Sequence, residues 1–122
     1  MRRTQLVLYA VTLREWPDVV KLGRTTKWSS RRREYDTWNF ADGDGVQQCV
    51  VYVITEEYAD LSALECACLD GMAMMRPRYR GNEWFKGSIE DAKNVIADVL
   101  NTAGVSYIET SPGRPAPKVR LA

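Results

Sequence analysis

The sequence predicts one mixed α/β domain of the α+β kind, and three observations carry that expectation. Residues 5–13 are apolar on both faces, with Val7, Tyr9 and Val11 on one and Leu6, Leu8 and Ala10 on the other. A strand of that kind belongs near the centre of a sheet. Residues 49–55, Cys-Val-Val-Tyr-Val-Ile-Thr, are dense in β-branched and aromatic side chains and read as a further strand. Beyond them the apolar residues recur at helical three-to-four spacing. A chain of 122 residues has room for one modest core.

Taken in order, residues 14–18, Arg-Glu-Trp-Pro-Asp, have turn chemistry. Residues 19–25 form a second strand, and the short link makes it antiparallel to the first. Ser29 or Ser30 offers an N-cap for a helix that carries Arg31, Tyr35 and Trp38 on one side. Residues 42–45, Asp-Gly-Asp-Gly, are a loop before the third strand. From residue 58 to residue 75 the pattern is helical, with Leu61, Leu64, Cys68, Leu69, Met72 and Met75 on one face. Residues 76–81, Arg-Pro-Arg-Tyr-Arg-Gly, interrupt it as a basic, aromatic loop, and residues 82–85 run extended. Ser88 caps a last helix whose first-turn acids suit the helix dipole. Its buried stripe is Ile89, Ala92, Ile96, Val99 and Leu100, and Gly104 fits the residue just past its end. Residues 105–109 read as a short final strand. The Pro-rich residues 110–122 are expected to form a mobile tail behind a domain spanning residues 1–109.

Composition removes several function classes. The net charge of +1 gives no global pull on nucleic acid, so any such attraction comes from local clusters. No apolar run approaches the roughly 18 residues of a membrane span, and the N-terminus lacks a signal-peptide core. The expectation is an intracellular, cytoplasmic protein with no membrane partner. Cys49, Cys66 and Cys68 are odd in number and form no Cys-x-x-Cys pair, which argues against a disulfide framework or a zinc site and for buried core positions. The chain has no His. An enzyme built from it works with Tyr, Lys, Arg and carboxylates.

Glu65 interrupts the apolar stripe between Leu61 and Leu69. A carboxylate there is either a Mg²⁺ ligand, with open positions for phosphate and water, or a stripe-edge Glu paired with a neighbouring Arg or Lys. Tyr9 is either a core residue or a phenol that binds phosphate or orients water. Lys21 and Arg24 flank Gly23, which lets the backbone approach another group closely. Lys21 is a phosphate donor, a base or a solvated edge residue. Arg31, Arg32 and Arg33 at a helix start oppose the helix dipole, yet suit an anion site there. Arg76, Arg78 and Arg80, with Tyr79 between them and Trp84 nearby, have the composition of a nucleic-acid backbone contact and also of an exposed loop.

Tyr9, the run Lys21-Leu22-Gly23-Arg24-Thr25, the arginine cluster, Ala63-Leu64-Glu65 and Glu83-Trp84-Phe85 occur in the order of the GIY-YIG nuclease superfamily. The chain most resembles its phage-associated branch, whose second motif reads Lys-Ile-Gly-Arg-Thr and which includes the meiotically up-regulated gene group. The resemblance spans residues 5–101. It implies a small central, mainly antiparallel three-stranded sheet flanked by helices, and one-metal hydrolysis of a DNA phosphodiester using Mg²⁺ or Mn²⁺. Tyr9 matches the Tyr of the first motif, and Lys21 stands in place of the second motif Tyr. The family Arg falls on Arg31 or Arg32, with Arg31 placing Tyr35 four residues on. Its role would be transition-state stabilisation. Glu65 matches the metal-binding Glu, and Asn82 loosely matches the family Asn.

The leading expectation is a metal-dependent DNA endonuclease of phage or mobile-element origin. Tyr9, Lys21, Arg31 or Arg32, and Glu65 form its catalytic set. Gly23, Arg24, Tyr35, Arg76, Arg78, Arg80 and Asn82 contact nucleic acid. Two rivals stand beside it. One is a catalytically inactive DNA-binding module. The other is a phage protein-interaction module acting on host machinery, with Trp16 and Trp38 as anchors. A lone domain this small reads a long DNA sequence only as a homodimer or with a host or phage partner.

Overall fold

The computed structural model describes residues 5–14, 16–37 and 46–111. The chain runs β1 (Leu6–Leu13), β2 (Trp16–Thr25), α1 (Trp28–Thr37), β3 (Val46–Ile54), α2 (Leu61–Met75), β4 (Arg78–Arg80), β5 (Trp84–Lys86), α3 (Ile89–Ala103) and β6 (Tyr107–Thr110). The α+β class is as expected, but the sheet has six strands rather than three, in the order β4-β5-β2-β1-β3-β6. Every neighbouring pair is antiparallel. Of the three further strands, β5 and β6 fall on the segments expected to run extended at 82–85 and 105–109, whereas β4 lies where a loop was expected. A three-residue strand shows no alternation for a sequence pattern to detect.

β1 explains the architecture. It lies between β2 and β3, and its side chains alternate between two cores. Leu8 and Ala10 join Val20, Leu22, Val50 and Tyr52 beneath α2 and α3. Val7, Tyr9 and Val11 join Cys49 and Val51 on the opposite face, where Trp16, Trp28 and Trp84 pack against them. The two-sided apolar pattern of β1 is thus the signature of a strand covered on both faces.

β2 begins earlier than expected, at Trp16, so Trp16, Pro17 and Asp18 belong to a strand rather than a turn. The β1–β2 register shifts there: Thr12 pairs with Val20 and Leu13 with Trp16. Pro17 therefore lies in the irregular stretch, where its missing N–H costs no ladder bond. α1 starts at Trp28, before both Ser29 and Ser30, so neither serine is its N-cap. Thr25 Oγ1 accepts from the Lys27 N–H at 2.9 Å and turns the chain. Trp28 then packs on Tyr9 with ring centroids 5.0 Å apart.

α2 starts at Leu61 rather than residue 58, because the Asp60 carboxylate accepts from the Ala63 N–H at 3.1 Å and caps it. Leu61, Leu64, Cys68 and Met72 form its buried face, whereas Met75 is exposed. Cys49 and Cys68 are buried as expected; Cys66 is exposed, because it falls on the opposite side of α2. Ser88 caps α3 in a full capping box with Asp91, and Gly104 ends it in the left-handed region at φ 70°. No helix among the described residues is long and apolar enough to cross a membrane. The loop expected at 42–45 and the tail beyond residue 111 lie outside the described residues, as does Trp38.

Candidate functional site

The cleft is built where β2 outruns its outer neighbour. β5 pairs with β2 only from Val19 to Lys21, so the end of β2 has an open margin. At that margin the Glu83 carbonyl, in the β4–β5 turn, accepts from the Leu22 N–H at 3.0 Å. The Glu83 carboxylate lies 2.8 Å from Lys21 Nζ. One residue past Gly23, Arg24 Nε donates to Glu65 Oε1 of α2 at 3.0 Å, joining positions far apart in the chain.

Tyr9 forms the floor. It is fully buried in the middle of β1 and its Cα partner is Gly23. A Cβ on Gly23 would fall within 2.6 Å of Tyr9 Cζ, so the phenol occupies the space that any other residue at position 23 would fill. Glycine is required at Gly23 for this close approach. Arg31 NH1 donates to the Tyr9 hydroxyl at 3.4 Å from α1. Lys21 Nζ stands 5.6 Å from the Tyr9 ring centroid.

Tyr9, Lys21, Gly23, Arg24, Arg31, Glu65 and Glu83 line one open cleft of about 230 Å³. Its polarity is mixed: Lys21, Arg24 and Arg31 line it together with the carboxylates of Glu65 and Glu83. The two ion pairs share a design. The Lys21 and Glu65 side chains are only 9% and 13% exposed, whereas their partners Glu83 and Arg24 are 40% and 46% exposed. In each pair a nearly buried charge is held by a solvated one. Such a charge needs a partner, and the solvated partner is the one free to exchange for a ligand. An anion entering the cleft would meet Arg24 and Arg31. A cation would meet Glu65 and Glu83.

Tyr9, Lys21, Arg31, Glu65, Gly23 and Arg24 therefore come together as the motif order implied. The Arg32 and Tyr35 side chains lie outside the described residues. Arg76, Arg78, Arg80 and Asn82 do not line the cleft. Arg76 binds Asp91 through two bonds, at 2.9 and 3.3 Å, and so ties the end of α2 to the capping box of α3. That guanidinium, with the Ser88 backbone N–H behind it, holds the Asp91 carboxyl below the usual carboxylate range. Arg78 and Arg80 belong to strand β4 of a β4–β5 hairpin, not to the loop expected at 76–81. Trp16 packs against Tyr79 and Trp84, with centroids 6.1 and 5.5 Å away, and so is part of the fold. Glu83 is the cleft residue that the sequence did not assign. Its adjacency to Trp84 and Phe85 was legible, but its partner Lys21 was not.

Among the described residues no group of three or more His, Cys, Asp or Glu side chains gathers as a metal cage. Glu65 and Glu83 are the carboxylates of the cleft that could hold a divalent cation, with water and phosphate oxygens completing its shell.

The model of the T5orf172 domain family matches residues 7–100. The chain belongs to that family, a phage-associated group of nuclease-type domains. The matched segment contains every element of the cleft. No curated protein and no solved structure matches the chain.

Proposed function

We propose that this T5orf172 domain is a divalent-metal-dependent DNA endonuclease of the GIY-YIG kind, from a phage or mobile element, that hydrolyses a phosphodiester in the cleft above Tyr9. The observation that carries the reading is the convergence of Tyr9, Lys21, Arg31 and Glu65, from β1, β2, α1 and α2, on one polar cleft beside the open end of β2. Burial of Lys21 and Glu65 adds support, since near-buried charges without an apolar use mark functional positions.

The chain's own groups divide the work by charge. Arg24 and Arg31 supply the donors that the phosphate meets on entry. Arg31 donates to the non-bridging oxygens, where negative charge grows as the phosphorus becomes five-coordinate. Lys21, held by Glu83, contributes a fixed positive charge and hydrogen-bond donors. The Tyr9 hydroxyl, fixed by Arg31 and the Gly23 gap, orients the attacking water in line with the bond that breaks. The Glu65 carboxylate, with Glu83 nearby, would hold Mg²⁺ or Mn²⁺, which when bound polarises the phosphate and favours ionised water. Arg24 releases Glu65 and turns to the entering phosphate, so phosphate entry and exposure of the carboxylate are coupled.

The test is nicking of supercoiled plasmid by the purified protein with Mg²⁺ or Mn²⁺, beside EDTA, Glu65→Gln and Arg31→Ala. The expected result is metal-dependent nicking that Glu65→Gln abolishes and Arg31→Ala slows by roughly 10²- to 10³-fold. Absence of nicking at high protein, or nicking indifferent to Glu65, overturns the reading. One observation favours a second reading, a DNA-binding module without catalysis. Glu65 and Lys21 already have protein partners, which neutralise most of the cleft. That reading predicts DNA retention that survives Glu65→Gln and no nicking by the wild type.

A further inference from the structure

We propose that the β4–β5 edge beside the cleft is a platform for an unpaired nucleic-acid strand. Tyr79 stacks on a base, and Arg80 and Lys86, on the same face of the sheet, take the flanking phosphates. The proposal rests on the nuclease reading and names its substrate: DNA that presents single-stranded character next to the scissile phosphate.

The first support is the geometry of the edge. β4 is the outermost strand, and Arg78, Tyr79 and Arg80 are all exposed. Arg78 pairs with Phe85 and Arg80 with Trp84, so two steps on β4 match one on β5 and Tyr79 is the extra residue of a bulge. A bulge re-aims the side chain it carries. Tyr79 leans on Trp16 with centroids 6.1 Å apart and keeps 38% of its surface exposed.

The second support is charge. Lys21, Arg24, Arg76 and Lys93 each have a carboxylate partner. Arg78, Arg80 and Lys86 have none among the described residues, and their cationic heads rest on aromatic rings instead. Arg80 lies 5.5 Å from the Trp16 centroid and 5.6 Å from that of Tyr79. Lys86 Nζ is 6.0 Å from Tyr79, whereas Arg78 rests 5.6 Å from Phe85, a ring of the core on the other face of the sheet. Cations set out on ring faces keep their charge available for an outside anion. In a chain of net charge +1, this edge is a local positive field.

The third support is position. Trp84 is the partner of Lys21 across β2 and β5, and the preceding residue, Glu83, is already in the cleft. The platform and the cleft therefore adjoin through Glu83 and Trp84. Edge protection against sheet-to-sheet pairing accounts for the cations. It does not account for an exposed ring set among them. A duplex would use the charges and leave the ring idle, because its base faces are already stacked. A single strand uses both.

The experiment is fluorescence anisotropy of the full chain in EDTA and low salt, with labelled oligothymidylate and a labelled blunt duplex. Wild type is expected to bind the single strand more tightly than the duplex. Tyr79→Ala should weaken the single strand by roughly 5- to 150-fold and leave the duplex within about twofold, with Tyr79→Phe close to wild type. Neutralising Arg80 and Lys86 to Gln should weaken both and flatten the salt dependence. Thermal melts of each variant report that the fold is intact. Equal binding of both DNAs with Tyr79→Ala unchanged overturns the platform, as does no binding at low salt. Because binding is read without metal, its outcome is separate from nicking. Metal-dependent nicking without single-strand preference keeps the nuclease and removes the platform. Tyr79-dependent single-strand binding without nicking does the reverse.

Discussion

Gly23→Ala tests the packing that builds the floor of the cleft. The added Cβ would sit 2.6 Å from Tyr9 Cζ and 3.1 Å from Cε2, and it would also meet the hydroxyl. The ring has little room to retreat: Tyr9 is fully buried, Trp28 packs on it, and Arg31 binds its hydroxyl. Overpacking of this kind costs about 1–3 kcal/mol. Alanine recovers about 0.5–1 kcal/mol over glycine through lower chain entropy in a strand. The net loss is then anything up to about 2.5 kcal/mol, equivalent to a fall in Tm of up to roughly 15 °C for a domain of this size. Nicking should fall with it, because the hydroxyl is driven off Arg31. The assay is a thermal melt of wild type, Gly23→Ala, Tyr9→Phe and the double variant. Removing the hydroxyl removes the nearest obstruction, so the double variant should lose less than the two single losses together. Gly104→Ala is the comparator. It has φ 70° and nothing within 4 Å of its added Cβ, so it pays only left-handed backbone strain of about 1–2 kcal/mol and should show no coupling to Tyr9. A Gly23→Ala protein that melts at or above wild type, or losses that simply add, would refute the close-approach argument.

Two further outcomes follow from the helices. The depressed Asp91 carboxyl stabilises the fold above its unfolded-state value, near 3.8, and that stabilisation is lost as pH falls through the lower folded value. The Tm advantage of wild type over Asp91→Asn should therefore be full at neutral pH and shrink as pH drops below about 4; a pH-independent difference would show that the Arg76 pair does not act through charge. On α2, Cys66 is exposed, whereas burial and then the Glu65 charge push the Cys68 thiol up to about 12. A disulfide-exchange reagent should titrate one thiol rapidly in the native protein and all three in denaturant, and rapid reaction of Cys68 would contradict the orientation of α2.

The α+β class, the two-sided burial of β1, the Ser88 cap and the Gly104 stop were legible in the sequence. Each depends on neighbours within a turn or on alternation along one strand, so the pattern is printed locally. The grouping of Tyr9, Lys21, Arg31 and Glu65 was legible only as an order of motif residues. Tertiary structure decided the rest. It made a strand of β4 and joined β4, β5 and β6 to the central sheet, in pairings set by the strands they meet rather than by their own pattern. It moved the start of α1 to Trp28, because a buried Tyr9 offers that ring a surface. It chose Glu83 for Lys21, Arg24 for Glu65 and Asp91 for Arg76, pairings no spacing encodes. Ion-pair choice depends on which distant elements the sheet brings within about 3 Å, and burial decides which partner of each pair is fixed. The sequence by itself determined where the apolar surface lies and hence which segments fold. Only their packing determined where charge is left over, and in this domain that is the cleft above Tyr9 and the edge that carries Tyr79.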